Sequence, residues 1–310
     1  MSRIALVRNR ASTRNLRSGV EAVPPEVRLI EARALDALTG ELRAAHAAGA
    51  EIIAVDGGDG TVREVLSRVP EIWGDPLPRI AIIPHGNTNL IAREVGALET
   101  AADLAEVERR LEAGQPLTER RHAMLRLDYP AGERPPVRGS ILGWGIYATA
   151  TRMARDEISA RGSAQVALAV FGMLTRVLVG GEQGPLRQGV AASLTVDGRR
   201  RAAGRRFVGV ATSLQGPLAA RMNPFWGKGN GPIRWLDILS PAARLAQAAP
   251  FLLRGRPALW MPRAGYGSGR ASRIELELDS PFVMDGEVYA PPASGPLTLT
   301  ADERITFISL

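Results

Sequence analysis

Residues 51–68, EIIAVDGGDGTVREVLSR, pass from a short β-branched apolar run through a glycine-rich turn into a stretch with apolar residues at helical spacing. Glu51–Val55 reads as a buried strand. Val62, Val65, Leu66 and Val69 fall three and four apart, so Thr61–Arg68 reads as a helix. The turn between them, VDGGDGT at 55–61, therefore sits at the carboxyl end of a strand and the amino end of a helix, where backbone N–H groups favour anions. The pattern recurs at Ile80–Ile83, Pro84-His85-Gly86-Asn87-Thr88-Asn89 and the helical Leu90–Val95. Ile4–Val7 and a helix over Ala34–Ala48 precede both units, which completes a βαβ rhythm and implies a parallel sheet.

From about Arg121 the pattern changes to alternating strands, Ala123–Leu127, Phe207–Ala211, Ile274–Leu278 and Leu297–Leu299, separated by Gly, Pro and Asp turns, so this half is expected to be largely antiparallel. Two stretches break the alternation. Ser163–Val179 is apolar and helical, and Ala242–Leu253 ends in Arg254-Gly255-Arg256. Each reads as a packed helix, with a surface that meets membrane lipid as the alternative.

The chain has 310 residues, 45% of them hydrophobic and 23% charged, which is enough to bury a real core. It has no cysteine, so disulfides, thiolate metal sites and cysteine nucleophiles are excluded. The first 20 residues carry an arginine every few positions instead of an apolar leader, and no later window of membrane-spanning length is apolar throughout. A cytoplasmic location at the inner face of the membrane is the expectation. The formal charge is +7, and Lys228 is the only lysine among 39 basic residues. Arginine's planar fork matches phosphate. Nucleic acid is not an expected partner, because helix-turn-helix, zinc-knuckle and RNP signatures are missing and only 5% of residues are aromatic.

Gly57, Gly58 and Gly60 can take positive φ and let backbone N–H groups approach a phosphate. Asp59 would lie beside that phosphate. An acid there calls for an offsetting cation, Mg²⁺ carried by a nucleotide, or for a substrate hydroxyl that needs a base. A ligand-free Asp-Gly turn is the bland alternative. No Gly-Lys-Ser/Thr follows, so the turn is not a Walker A loop, and the protein-kinase motifs are missing too.

At GGDGTVREVL, 57–66, the chain resembles the diacylglycerol kinase catalytic-domain superfamily, whose GGDGT turn is shared with NAD kinases. PHGNTNLIARE (84–94), GWGIYATATR (143–152), SAQVALAVFGMLTRVL (163–178) and FVMDGEVYAPP (282–292) extend the resemblance toward the lipid kinases over almost the whole chain. The resemblance implies an α/β plus β fold. A Rossmann-like nucleotide domain is expected over 1–119, completed by a strand within 298–310, and a mainly antiparallel β-rich lipid-substrate domain over 120–297, with an ATP cleft between them. It implies ATP with Mg²⁺ as cofactors, a membrane lipid as acceptor and transient contact with the membrane surface. By position, Asn9, Gly57, Gly58, Asp59, Gly60, Thr61, Glu64, Gly86, Asn87 and Asn89 would hold the nucleotide. Asp285 or Glu287 would supply the general base, with Asp59 competing for that role, because the attacking alcohol must lose a proton. Asp285-Gly286 also reads as a hairpin turn, and the two readings are compatible.

The chain departs from the family's pattern at Asn87, where threonine is usual, at Leu90, where aspartate is usual, and at Asn9-Arg10, where Asn-Pro is usual. Ile233-Arg234 stand before Trp235-Leu236-Asp237 where some bacterial members have an Asp-Gly that serves a structural metal, so no metal is expected there. These departures lean the acceptor toward ceramide or a sphingoid base. Diacylglycerol kinase, NAD kinase and a non-catalytic nucleotide- or lipid-binding protein are the alternatives. His85 reads as a polar turn residue and His122, at the domain junction, as a structural hydrogen-bonder. The loop RMNPFWGKGNG, 221–231, with Arg221, Trp226 and Lys228, reads either as a cover for the acceptor headgroup or as an ordinary surface loop.

Overall fold

The computed structural model describes residues 3–10, 12, 21–31, 35–86, 88–152, 188–218 and 222–310. The apolar stretch 163–178, Asn87 and Arg221 fall outside them. The chain divides into two compact units, the first comprising 1–124, 137–139 and 303–310, the second 125–136 and 140–302.

The first unit is built on a sheet of six described strands. β1 (Ile4–Arg8), β2 (Arg28–Ile30), β3 (Ile52–Gly57) and β4 (Arg79–Pro84) lie in the order β2-β1-β3-β4, followed by Arg304–Ser309 and then by β5 (Thr118–Ala123). Every pairing up to Arg304–Ser309 is parallel, and β5 closes the edge antiparallel to that strand. The helices are α1 (Leu35–Ala47), α2 (Asp59–Trp73), α3 (Leu90–Val95) and α4 (Asp103–Glu112). β3 is buried at every position, as a central strand covered on both faces must be. Ile4, Leu6, Ile52, Ala54, Ala81 and Ile83 turn to one face, where they pack with Leu104 and Val107 of α4. The period-two alternation leaves Ile53, Val55 and Ile82 for the opposite face. α2 buries Val62, Val65, Leu66 and Val69, the apolar stripe visible in its sequence.

The second unit carries an antiparallel sheet. Its strands run Glu287–Tyr289, Phe282–Met284, Ile141–Gly145, Arg205–Thr212, Val190–Val196, Arg273–Leu278, Leu297–Thr300 and Leu125–Asp128 in spatial order. Ile233–Leu239 and Tyr266–Ala271 continue from Arg205–Thr212 in a second direction. Residues 146–152 turn helical directly after Gly145. A further helix, Leu245–Arg254, follows Ile233–Leu239.

Two boundaries shift enough to change the reading. α2 starts at Asp59 rather than Thr61, so Gly60 lies inside the helix and Gly58 is its N-cap. The expected strand Ala123–Leu127 is two strands, Thr118–Ala123 and Leu125–Asp128, which belong to the two different sheets. The charged run Thr-Glu-Arg-Arg hides the first of these from a pattern search, because an edge strand can keep polar side chains in solvent.

Candidate active site

The carboxyl ends of β3 and β4 lie side by side, with Gly57 in register with Pro84, and both chains turn there into helices. None of Gly57, Gly58 and Gly60 has the positive φ that the sequence reading allowed for them, and Gly58 is extended at φ −95°, ψ −177°. The requirement at two of them is space. A Cβ on Gly58 would lie 2.9 Å from the Gly86 α-carbon, and one on Gly86 would lie 2.5 Å from the Gly58 α-carbon. A Cβ on Gly57 would meet Thr61 Oγ1 at 2.6 Å. The two turns therefore touch backbone to backbone, and only glycine permits it.

No side chain caps α2 at Gly58; Thr61 N and Val62 N donate to Gly58 O at 2.9 and 3.1 Å, and the N–H groups ahead of them stand at the positive end of the helix dipole, which favours an anionic ligand. Asp59 opens this helix. Its Oδ2 accepts from Thr88 Oγ1 at 2.7 Å and its Oδ1 from Ile91 N at 3.3 Å, so it bridges the first turn to the second. Asn9 Nδ2 donates to Thr61 Oγ1 at 3.1 Å, which brings the end of β1 to the same edge. Asn89, at a left-handed φ of 48°, accepts from Gly86 N and donates to Gly86 O, both at 2.9 Å, so its side chain braces its own turn.

Asn9, Gly57, Gly58, Asp59, Gly60, Thr61, Gly86 and Asn89 thus gather along one sheet edge. Glu64 points elsewhere. Its oxygens take Arg63 Nη2 at 2.6 Å and Arg68 Nη1 at 2.8 Å. Burial works to raise the Glu64 pKa, but the two guanidinium groups outweigh it and hold the carboxyl below its usual range.

Beneath the glycines lies a network that the sequence reading did not find. Asp56, fully buried, meets Arg8 Nε at 2.6 Å through one oxygen and His85 Nδ1 at 2.6 Å through the other. Arg8 Nη1 continues to Glu21 O at 2.8 Å. The network ties the ends of β1, β3 and β4 together under the two turns. The acid immediately before GGDGT and an arginine at the end of β1 were its signals in the sequence, and His85, read as a polar turn residue, is a buried member of it.

In the second unit, Asp285 and Gly286 form a two-residue hairpin turn between Phe282–Met284 and Glu287–Tyr289, with φ of 46° and 82°. Positive φ at both positions is the type I′ geometry that matches strand twist. The Asp285 carboxylate accepts from Ser140 N at 2.8 Å and Ile141 N at 2.9 Å, and Asp285 N donates to Ile141 O at 3.0 Å, which fastens the turn to the neighbouring strand. Glu287 opens the return strand and is half-buried. The loop after Met222 lines a polar cavity of about 210 Å³ together with Gln215, Asn223, Arg234 and Arg270, and no carboxylate among the described residues lines it. His122 is buried on β5 opposite Ile305, and burial pushes its pKa down.

A family model described as the diacylglycerol kinase catalytic domain matches residues 8–115, a span that contains both glycine turns and the Asp56 network. Over these residues the match is to the catalytic domain of a lipid kinase. Solved structures similar to it include that of a diacylglycerol kinase from Bacillus anthracis str. Sterne, at 12% identity and a TM-score of 0.58 over 100% of this chain and 97% of the other. A second, described provisionally as a diacylglycerol kinase from the same organism, shows 13% identity and a TM-score of 0.62 over the same shares. These likenesses establish a shared fold across both units. No curated protein matches the sequence.

Proposed function

We propose that the chain transfers the γ-phosphoryl group of ATP to a hydroxyl of a membrane lipid. The observation that carries the reading is the backbone contact of Gly58 and Gly86, which sets the uncapped start of α2 and the 86–89 turn at one edge of the parallel sheet, with Asp59 bonded across both. In this reading the N–H groups at the start of α2 hold the ATP phosphates, and Asn9, Thr61, Gly86, Asn87 and Asn89 surround the nucleotide. Asp59, Thr61 and Thr88 offer hard oxygen donors, the set that suits Mg²⁺ arriving with ATP, which neutralises phosphate charge when bound.

Three carboxylates compete to take the alcohol's proton. Asp285 engages both oxygens with backbone N–H groups, which favours it as the anchor of the hairpin. Asp59 and Glu287 are the other candidates for the base. Glu64, held by Arg63 and Arg68, supports the fold of α2 rather than the nucleotide. Membrane contact at the inner surface belongs to the same reading, and no helix among the described residues is long and apolar enough to cross a bilayer.

The departures at Asn87, Leu90 and Ile233-Arg234 favour ceramide or a sphingoid base as acceptor, whereas the name of the matching domain favours diacylglycerol. A panel of the three lipids in mixed micelles with ATP and Mg²⁺ separates them. Phosphorylation of one class is the expected result; no labelled lipid from any class, with ATP still bound, would return the chain to the non-catalytic reading.

A further inference from the structure

Four of the large apolar side chains that the described residues expose gather in one part of the second unit. Met222, Phe251, Leu253 and Leu259 are 36, 39, 52 and 100% exposed. The main chain holds them as a group. Asn223 N donates to Leu253 O at 3.2 Å, and Gly255, at φ 60°, packs so closely on the 223–225 segment that a Cβ would lie 2.4 Å from Asn223 O. The helix Leu245–Arg254 buries Leu245 and Ala248 and exposes Ala246, Gln247, Pro250, Phe251, Leu253 and Arg254. An ordinary surface helix turns its charges outward. This one presents an apolar face with one charge at its end.

The charge along this stretch has a single sign. No Asp or Glu occurs between Asp237 and Glu275, a stretch that holds six arginines. Arg244, Arg254, Arg256 and Arg263 are exposed. Trp260 is half-buried beside them, with the Arg244 guanidinium 5.7 Å from its ring and Tyr266 edge-on at 5.9 Å. Exposed aliphatic and aromatic residues rimmed by arginine, with a tryptophan at the boundary, are the composition of a surface that lies in a bilayer interface. A second copy of the chain is the poorer occupant, because two such faces would bring arginine against arginine with no acid to pair.

We infer that the helix Leu245–Arg254 and the turn through Arg263 dock on an anionic lipid bilayer. Phe251, Leu253 and Leu259 enter the boundary between headgroups and acyl chains, and Arg254, Arg256 and Arg263 sit at the level of the lipid phosphates. The inference rests on the lipid-kinase reading for the presence of a membrane-borne acceptor, and it names the surface by which the chain reaches it.

Co-sedimentation of the full chain, without ATP, with vesicles of phosphatidylcholine alone and of phosphatidylcholine mixed with phosphatidylglycerol tests it. The wild type is expected to bind the anionic vesicles and to release as salt rises. The combined variant Arg254→Gln, Arg256→Gln, Arg263→Gln is expected to lose about 100-fold in affinity for them, at about 5-fold per arginine. The combined variant Phe251→Ser, Leu253→Ser, Leu259→Ser is expected to lose binding to either vesicle. Vesicle binding that both variants retain would overturn the proposal. So would a dimer, seen by light scattering, that the serine variant converts to monomer. Turnover does not enter the measurement. A chain that phosphorylates lipid in detergent micelles but ignores vesicles contradicts the docking alone, and one that binds vesicles through this face but phosphorylates nothing contradicts the kinase reading alone.

Discussion

Gly58, Gly60 and Gly86 look alike in the sequence, yet the structure asks different things of them. Adding a methyl group at Gly58 or Gly86 drives it into the other residue's backbone, which cannot rotate away. Gly58→Ala and Gly86→Ala are each expected to destabilise the chain by about 1–3 kcal/mol, the cost of overpacking, and to weaken ATP binding. A Cβ on Gly60 meets nothing within 4 Å, and the residue lies in the first turn of α2 without positive φ. Gly60→Ala is expected to leave folding intact or to stabilise it by up to about 1 kcal/mol. Chemical denaturation of the three variants checks the contrast. Asp59 makes its two bonds at the surface of the turns, so Asp59→Asn is expected to change stability by less than about 1 kcal/mol while turnover falls by about 100-fold or more. A loss of stability comparable to the loss of activity would make Asp59 a structural residue.

The hairpin at Asp285 couples a turn to the strand beside it. Asp285→Ala removes the acceptor for two backbone N–H groups and is expected to cost about 2–3 kcal/mol, because unpaired donors in a partly buried place are expensive. Thermal melts of Asp285→Ala and Asp59→Asn side by side distinguish an anchor from a reacting group. At this scale much of the fold was legible. Ile52–Val55 could only be a buried strand, the 62/65/66/69 stripe could only be one face of a helix, and Asp-Gly between Met284 and Glu287 could only be a tight turn. β5 was not legible, because its pairing with Arg304–Ser309 is a long-range contact and its own side chains are charged. The reason for the glycines was not legible either. Local sequence allows positive φ, whereas the backbone approach of residues 58 and 86 exists only once the two units of strand, turn and helix stand side by side. The Asp56, Arg8 and His85 network was hidden for the same cause, since its members are 29 and 48 residues apart.

At the scale of the whole molecule, the buried charges make stability depend on pH. Asp237 is 1% exposed, and burial pushes its pKa up to about 6 from the ordinary 3.8, against the opposing pull of Arg206 Nε at 2.9 Å and Arg201. The folded state binds this proton more readily than the unfolded chain does, so stability is gained as pH falls through about 6 toward 4 and lost as it rises. Between pH 7 and pH 5 the contribution is about 1 kcal/mol in favour of the folded chain at the lower pH. Urea denaturation at the two pH values is expected to show this term in the wild type and not in Asp237→Asn. The kinase reading itself joins a family match over 8–115 to a turn geometry that the match does not describe. Its most direct test is transfer of label from γ-labelled ATP into extracted membrane lipid by the wild type and by Asp59→Asn. Labelled lipid from the wild type alone is the predicted result. Equal labelling by both, or labelling of neither while NAD becomes phosphorylated, would contradict it.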